Sequence, residues 1–150
     1  MLIRWMTIED LSIAIAMGSS MHKESWFSEF DYADEKLQGL WDITETYPDM
    51  YCKYVAEDKG ELVGMFVGMC AEHYFGYDKI ASDLLLYVTP EARGGTAAPR
   101  LIKAYEKWAL ASGAKEIHVG VSTGVNEDRT VKLYEKLGFN SKATLLRKRV

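Results

Sequence analysis

The sequence predicts an α+β (α/β) fold, a mixed and mostly antiparallel central sheet flanked by helices. Three observations carry this. Strand-like segments between residues 51 and 88 follow one another through short turns, which makes neighbours antiparallel. The run Leu84-Leu85-Leu86-Tyr87-Val88 is apolar on both faces, as a central strand is. Beyond it come a glycine loop, a helix and a strand, then a further helix and strand.

The elements follow in order. Leu2-Ile3-Arg4-Trp5 reads as a short first strand. Thr7 offers an N-cap, with Asp10 in the capping-box position. A helix then places Ile8, Leu11 and Ile15 on one face and ends near Gly18. Residues 19–33 hold His22, Trp26, Phe27, Phe30 and Tyr32 with little periodicity and read as a loop. Asp34 caps a second helix, carrying Leu37, Leu40, Trp41 and Ile43, that stops before Pro48.

Strands are expected at 51–57 and 62–74, joined by the turn Asp58-Lys59-Gly60, and at 81–88. The helix 98–112 has Leu101, Ile102, Tyr105, Trp108 and Ala109 on one stripe. Pro99 falls in its first turn, where a missing N–H costs nothing, and Gly113 follows its end. A strand is expected at 116–121 and a last helix at 127–137. Gly138 and Phe139 then close that helix as a Schellman motif, with Phe139 against Tyr134. A final strand is expected at 143–148.

Composition narrows the class. Apolar residues make up 48% and charged residues 27%, so a packed core is expected rather than disorder. A length of 150 residues suits one domain, 1–150, needing no disulfide or metal staple. The net charge of -4 argues against a nucleic-acid partner. Arg147-Lys148-Arg149 is a short basic run, read as solvated. Cys52 and Cys70 lack neighbours at metal-ligand spacing, which leaves no metal site and suits reduced core thiols in a cytoplasmic protein. No apolar run reaches the ~18 residues of a membrane span, and no signal peptide is read, so no membrane partner is expected.

Chemistry concentrates at Arg93-Gly94-Gly95-Thr96-Ala97-Ala98, between an apolar strand and a helix. Small residues let backbone N–H groups approach a ligand, and a helix start adds partial positive charge, which together suit a diphosphate. The loop lacks both G-x-G-x-x-G and the Lys-Ser/Thr of a P-loop, which argues against an unrelated nucleotide binder. The stretch resembles motif A of the GNAT superfamily of N-acetyltransferases, Gln/Arg-x-x-Gly-x-Gly/Ala, with Arg93 first and Ala98 last. Thr96 stands where glycine is usual. It can still donate its N–H but does not readily take positive φ. Downstream, Asn126 followed by Leu133-Tyr134-Glu135-Lys136-Leu137-Gly138-Phe139 is similar to GNAT motif B, with one extra residue between Asn126 and Tyr134.

The resemblance implies an acetyl-CoA-dependent N-acetyltransferase whose central strands, here 81–88 and 116–121, splay apart around the cofactor's pantetheine arm. It implies cofactor contacts from Leu86, Tyr87, Val88, Arg93, Gly94, Gly95, Thr96, Ala97, Ala98 and Asn126. Tyr134 would protonate the leaving thiolate, or serve only as the ring beneath Phe139. The base is open among Asp83, Glu72, His73 and a water chain, with Ser122-Thr123-Gly124 either holding that water or merely turning. Trp26, Phe27 and Glu29 fall where the family builds its acceptor site, for a small-molecule or peptide amine; a lid packed on the core is the alternative. Homodimers are frequent in the family. A non-enzymatic module that binds CoA or a partner on the same fold is the competing reading.

Overall fold

The computed structural model describes residues 1–150. Five strands form one sheet in the order β1-β2-β3-β4-β5: Leu2–Trp5, Tyr51–Asp58, Glu61–Glu72, Lys79–Val88 and Ala114–His118. The first four pair antiparallel, and β5 joins β4 in parallel. Helices α1 (Leu11–Glu24) and α2 (Asp34–Thr46) precede the β2–β3 hairpin; α3 (Ala97–Ala111) links β4 to β5, and α4 (Glu127–Lys136) follows. The hairpin turn needs left-handed backbone at both central residues, Lys59 (φ 52°) and Gly60 (φ 85°).

Strand alternation sorts side chains onto two faces. Cys52, Ala56 and Phe66 point to α3 and pack with Leu101, Tyr105 and Ala109. Val55 and Met65 point to the opposite face and pack with Ala14 and Met17 of α1. The Tyr105 ring lies 4.5 Å from that of Phe66, against Gly68, where any Cβ would come within 2.9 Å of it. Both cysteines are free and buried, and burial pushes the Cys52 thiol up to about 12. No helix is long and apolar enough to cross a membrane.

The first turn is tied by charge. The Thr7 N–H donates to Asp10 at 2.8 Å, and Arg4 grips the same carboxylate with two bonds of 2.7 and 2.9 Å. The Arg4 guanidinium holds the buried Asp10 at about 2, below its ordinary 3.8. Asp10→Asn is expected to cost about 2 kcal/mol in neutral-pH denaturant unfolding. A depressed carboxylate stabilises fully above its unfolded value, so this contribution fades as pH falls from about 4 toward about 2.

Five expectations need correcting. Helix α1 runs through Gly18 to Glu24, because Gly18 is a contact rather than a cap: a Cβ there would meet Leu37 Cδ1 of α2 at 2.4 Å. The buried face of α1 is Ala14, Met17 and Gly18, while Ile8 is exposed. The presumed loop is thus helical to residue 24, then a 3₁₀ turn at Trp26–Glu29. Strand β5 lies at Ala114–His118, because its ladder with β4 ends at Ser82↔His118 and the Gly120 N–H goes to the Asp83 side chain. Residues 143–148 form no strand. Their two adjacent leucines give no face to bury, and Leu145 and Leu146 are exposed.

The last helix closes as expected. Phe139 N–H donates to Tyr134 O and Gly138 N–H to Glu135 O, both at 3.0 Å, with Gly138 at φ 94°. The Tyr134 and Phe139 rings meet edge-on at 5.7 Å. Gly138→Ala is expected to lower stability by about 1 kcal/mol, read as a lower melting temperature, since alanine strains at that φ.

Candidate active site

The opening between β4 and β5 starts in the sequence of β4. Val67 pairs with Leu85 and Gly68 with Asp83, so Leu84 is an extra residue that bulges the strand. Beyond Ser82, β4 has no β5 partner, and its backbone along 84–88 faces a gap. The gap is a cleft of about 570 Å3, within the range of small-molecule sites. The strands are therefore splayed, and Asp83 spans them by accepting the Gly120 N–H at 3.0 and 3.1 Å.

One end of the cleft is the glycine loop. Gly94 sits at φ 84°, open to glycine at little cost. A Cβ on it would come within 2.5 Å of the Arg129 guanidinium. Loop and cation are therefore in close contact. Gly95 N–H donates to Ala92 O, while the N–H groups of Gly94 and Thr96 have no backbone acceptor. The first N–H groups of α3 are also free of helical partners. Thr96 takes φ -97°, so threonine is unstrained there. Free N–H groups, a helix start and a cation make a set of donors that fits a diphosphate.

Leu86, Tyr87, Val88, Arg93, Gly94, Gly95, Ala98 and Asn126 all line the cleft. Thr96 is exposed and Ala97 fully buried, and neither lines it. The Arg93 side chain turns away from the loop: Nε donates to Val88 O at 2.9 Å, and the guanidinium pairs with Glu24 of α1. It ties the end of β4 to α1. Asn126 is left-handed (φ 48°) and starts α4 without a side-chain cap.

Tyr134 and Asp83 share the cleft. Burial raises the Tyr134 phenol, and the Asp83 charge raises it further. Burial raises Asp83 too, against the Gly120 N–H that favours its charged form. Glu72 and His73, the other base candidates, do not line the cleft.

On the far side, Phe27 lines the cleft whereas Trp26 and Glu29 do not. Trp26 docks on the strip after β5. Its backbone N–H donates to Thr123 O at 3.0 Å and its indole N–H to Ser122 O. Ser122-Thr123-Gly124 is thus a docking strip for Trp26. Glu29 pairs with Arg149 at 2.9 Å.

The sequence reading missed Arg129, Lys132 and Lys136, which line the cleft from α4. Their spacing of three and four residues puts them on one helix face. None of the three forms an ion pair.

Residues 18–139 match the sequence model of the Acetyltransferase (GNAT) family. An acetyltransferase of Pectobacterium atrosepticum is 36% identical over 95 residues, which is 63% of this chain and 60% of that protein. The chain's match thus spans about 60% of the length of that curated relative. Among solved structures, a transcriptional regulator from Bacillus halodurans superposes with TM-score 0.79 at 19% identity, covering 99% of each chain. Glucosamine-6-phosphate N-acetyltransferase from Arabidopsis thaliana superposes with TM-score 0.76 at 17% identity, covering 99% of this chain and 97% of that one. At these identities the structural likeness is one of fold.

Proposed function

The chain belongs to the GNAT acetyltransferase family, whose cofactor is acetyl-CoA, and from that premise we propose that it transfers an acetyl group to a primary amine by direct attack on the thioester. The observation that carries the reading is a single cleft bounded by the unpaired edge of β4, the glycine loop, Asp83 and Tyr134.

Bound acetyl-CoA supplies a thioester carbonyl as electrophile and a thiolate as leaving group. The residues here do the rest. Gly94 and the first turn of α3 offer N–H groups to the diphosphate, and Arg129 adds charge. Backbone along 86–88 aligns the pantetheine arm, and an N–H near Val88 polarises the carbonyl. Asp83 accepts the proton that the amine loses as the C–N bond forms. Burial favours this by raising its carboxyl toward the range of a useful base. Tyr134 gives its phenolic proton to sulfur as the C–S bond breaks, and its raised pKa keeps it protonated beforehand.

Two measurements test the reading. At about a hundred times Kd, acetyl-CoA is expected to add about 2.7 kcal/mol of stability, seen as a raised melting temperature. Free thiol should then appear faster than blank hydrolysis with at least one member of an amine panel. No acetyl-CoA binding at millimolar ligand would sink the proposal. Binding without turnover on any amine would leave a CoA-binding module instead.

A further inference from the structure

The segment 140–150 has no regular structure, and backbone hydrogen bonding in this part of the chain stops at Phe139. Two side chains hold it. The Arg147 guanidinium lies 3.9 Å above the Trp26 ring, and Arg149 pairs with Glu29 at 2.9 Å. Lys148 between them has no ion partner, and Leu145 and Leu146 stay exposed. The segment is therefore placed by two cations, with its apolar residues left out.

The surface receiving those cations is built. Trp26 is held by two hydrogen bonds, from its indole N–H to Ser122 O and from its backbone N–H to Thr123 O. Phe27 and Phe30 flank it, at ring separations of 4.6 and 5.4 Å. The Arg147 guanidinium lies over the indole face, and a guanidinium over indole is the best such pairing. Glu29 stands three residues on, at the end of the same 3₁₀ turn. Ser122 and Thr123, which hold Trp26, also line the cleft, as does Phe27. The receiving face therefore borders the cleft. Its two features match side chains two residues apart, the spacing that places them on one side of an extended chain.

We propose that this face binds the acceptor as an extended peptide with basic side chains at positions i and i+2, and that segment 143–150 occupies it as an internal competitor. The proposal rests on the acetyl-transfer reading for the identity of the acceptor, but not for the existence of the face. Arg147 and Arg149 stand in for the peptide's two cations. A basic peptide must displace them to reach Trp26 and Glu29, so the segment weakens acceptor binding without touching the cofactor loop.

The test uses the 150-residue chain and the substitutions Arg147→Gln and Arg149→Gln together. The probe is the N-terminally capped peptide Ala-Thr-Leu-Leu-Arg-Lys-Arg-Val. Its binding is followed through the indole N–H resonance of Trp26, assigned with Trp26→Phe. The double variant should bind the probe about tenfold more tightly than the unmodified chain, since two competing contacts are gone. A probe with Gln for both Arg residues should leave the resonance unmoved. With an uncapped basic peptide as acceptor, KM should fall by a similar factor at constant kcat. Equal probe affinity for the two proteins, or equal binding of the Gln probe, overturns the proposal. Calorimetry with acetyl-CoA separates the two readings. Loss of cofactor binding in the unmodified chain sinks the proposed function and leaves the probe result standing.

Discussion

Tyr134→Phe is expected to lower kcat by about a hundredfold to a thousandfold while leaving the Kd for acetyl-CoA unchanged. The phenol lines the cleft and keeps its proton at neutral pH, since burial and the nearby Asp83 charge both raise it. Phenylalanine keeps the ring against Phe139 and the Schellman close of α4, so the fold should be retained. Single-turnover thiol release reads the chemical step, and calorimetry reads binding. Unchanged kcat would leave Tyr134 a packing residue.

The pH dependence carries a further sign. An acid whose native pKa is raised favours the protonated native state, so its stabilising effect is present below the unfolded value near ~10 and is lost as pH rises beyond it. Tyr134 and Tyr105 are both raised chiefly by burial. Unfolding free energy should therefore drop above pH ~10, and Tyr134→Phe should soften that drop. Over the neutral range Tyr134 contributes no alkaline limb to kcat. An acid limb set by Asp83 should lie above the usual carboxylate range, and Asp83→Asn should remove it while its amide oxygen still accepts from Gly120.

How much of this was legible in the sequence depends on whether the governing contact is local. The α3 stripe and the Gly138 close were readable, because a helix period and a C′ glycine are set within a few residues. Gly18 was misread for the opposite reason. Its role is fixed by Leu37 on another helix, and a glycine that admits a neighbour looks in sequence like one that ends a helix. The end of β5 was misplaced because residues 119–121 keep a strand-like composition, while the Gly120 N–H is taken by Asp83, 37 positions earlier. Segment 143–148 has strand composition, but Arg147 within it and Arg149 just beyond it meet Trp26 and Glu29 more than a hundred residues away. At the site, the glycine loop was legible as a backbone feature. The direction of the Arg93 side chain was not, because it is set by Glu24 on α1.

That redirection decides where the loop's positive charge comes from, and it makes Arg129 the residue to remove. Arg93 spends its guanidinium on Glu24 and Val88 O, whereas Arg129 lies over Gly94 with no ion partner. A charged donor to a phosphate contributes about 1.5–3 kcal/mol, so Arg129→Ala is expected to weaken acetyl-CoA binding by about tenfold to a hundredfold. The loss should shrink as salt rises, because screening already weakens that interaction in the unmodified protein. Arg93→Ala should behave differently. It cuts the tie between the end of β4 and α1, so the melting temperature should fall more than a surface substitution allows, and cofactor affinity should follow through the displaced loop. Calorimetric titration of both variants at low and high salt separates the two. If Arg93→Ala, and not Arg129→Ala, flattens the salt dependence without loss of stability, the assignment of charge to α4 is wrong.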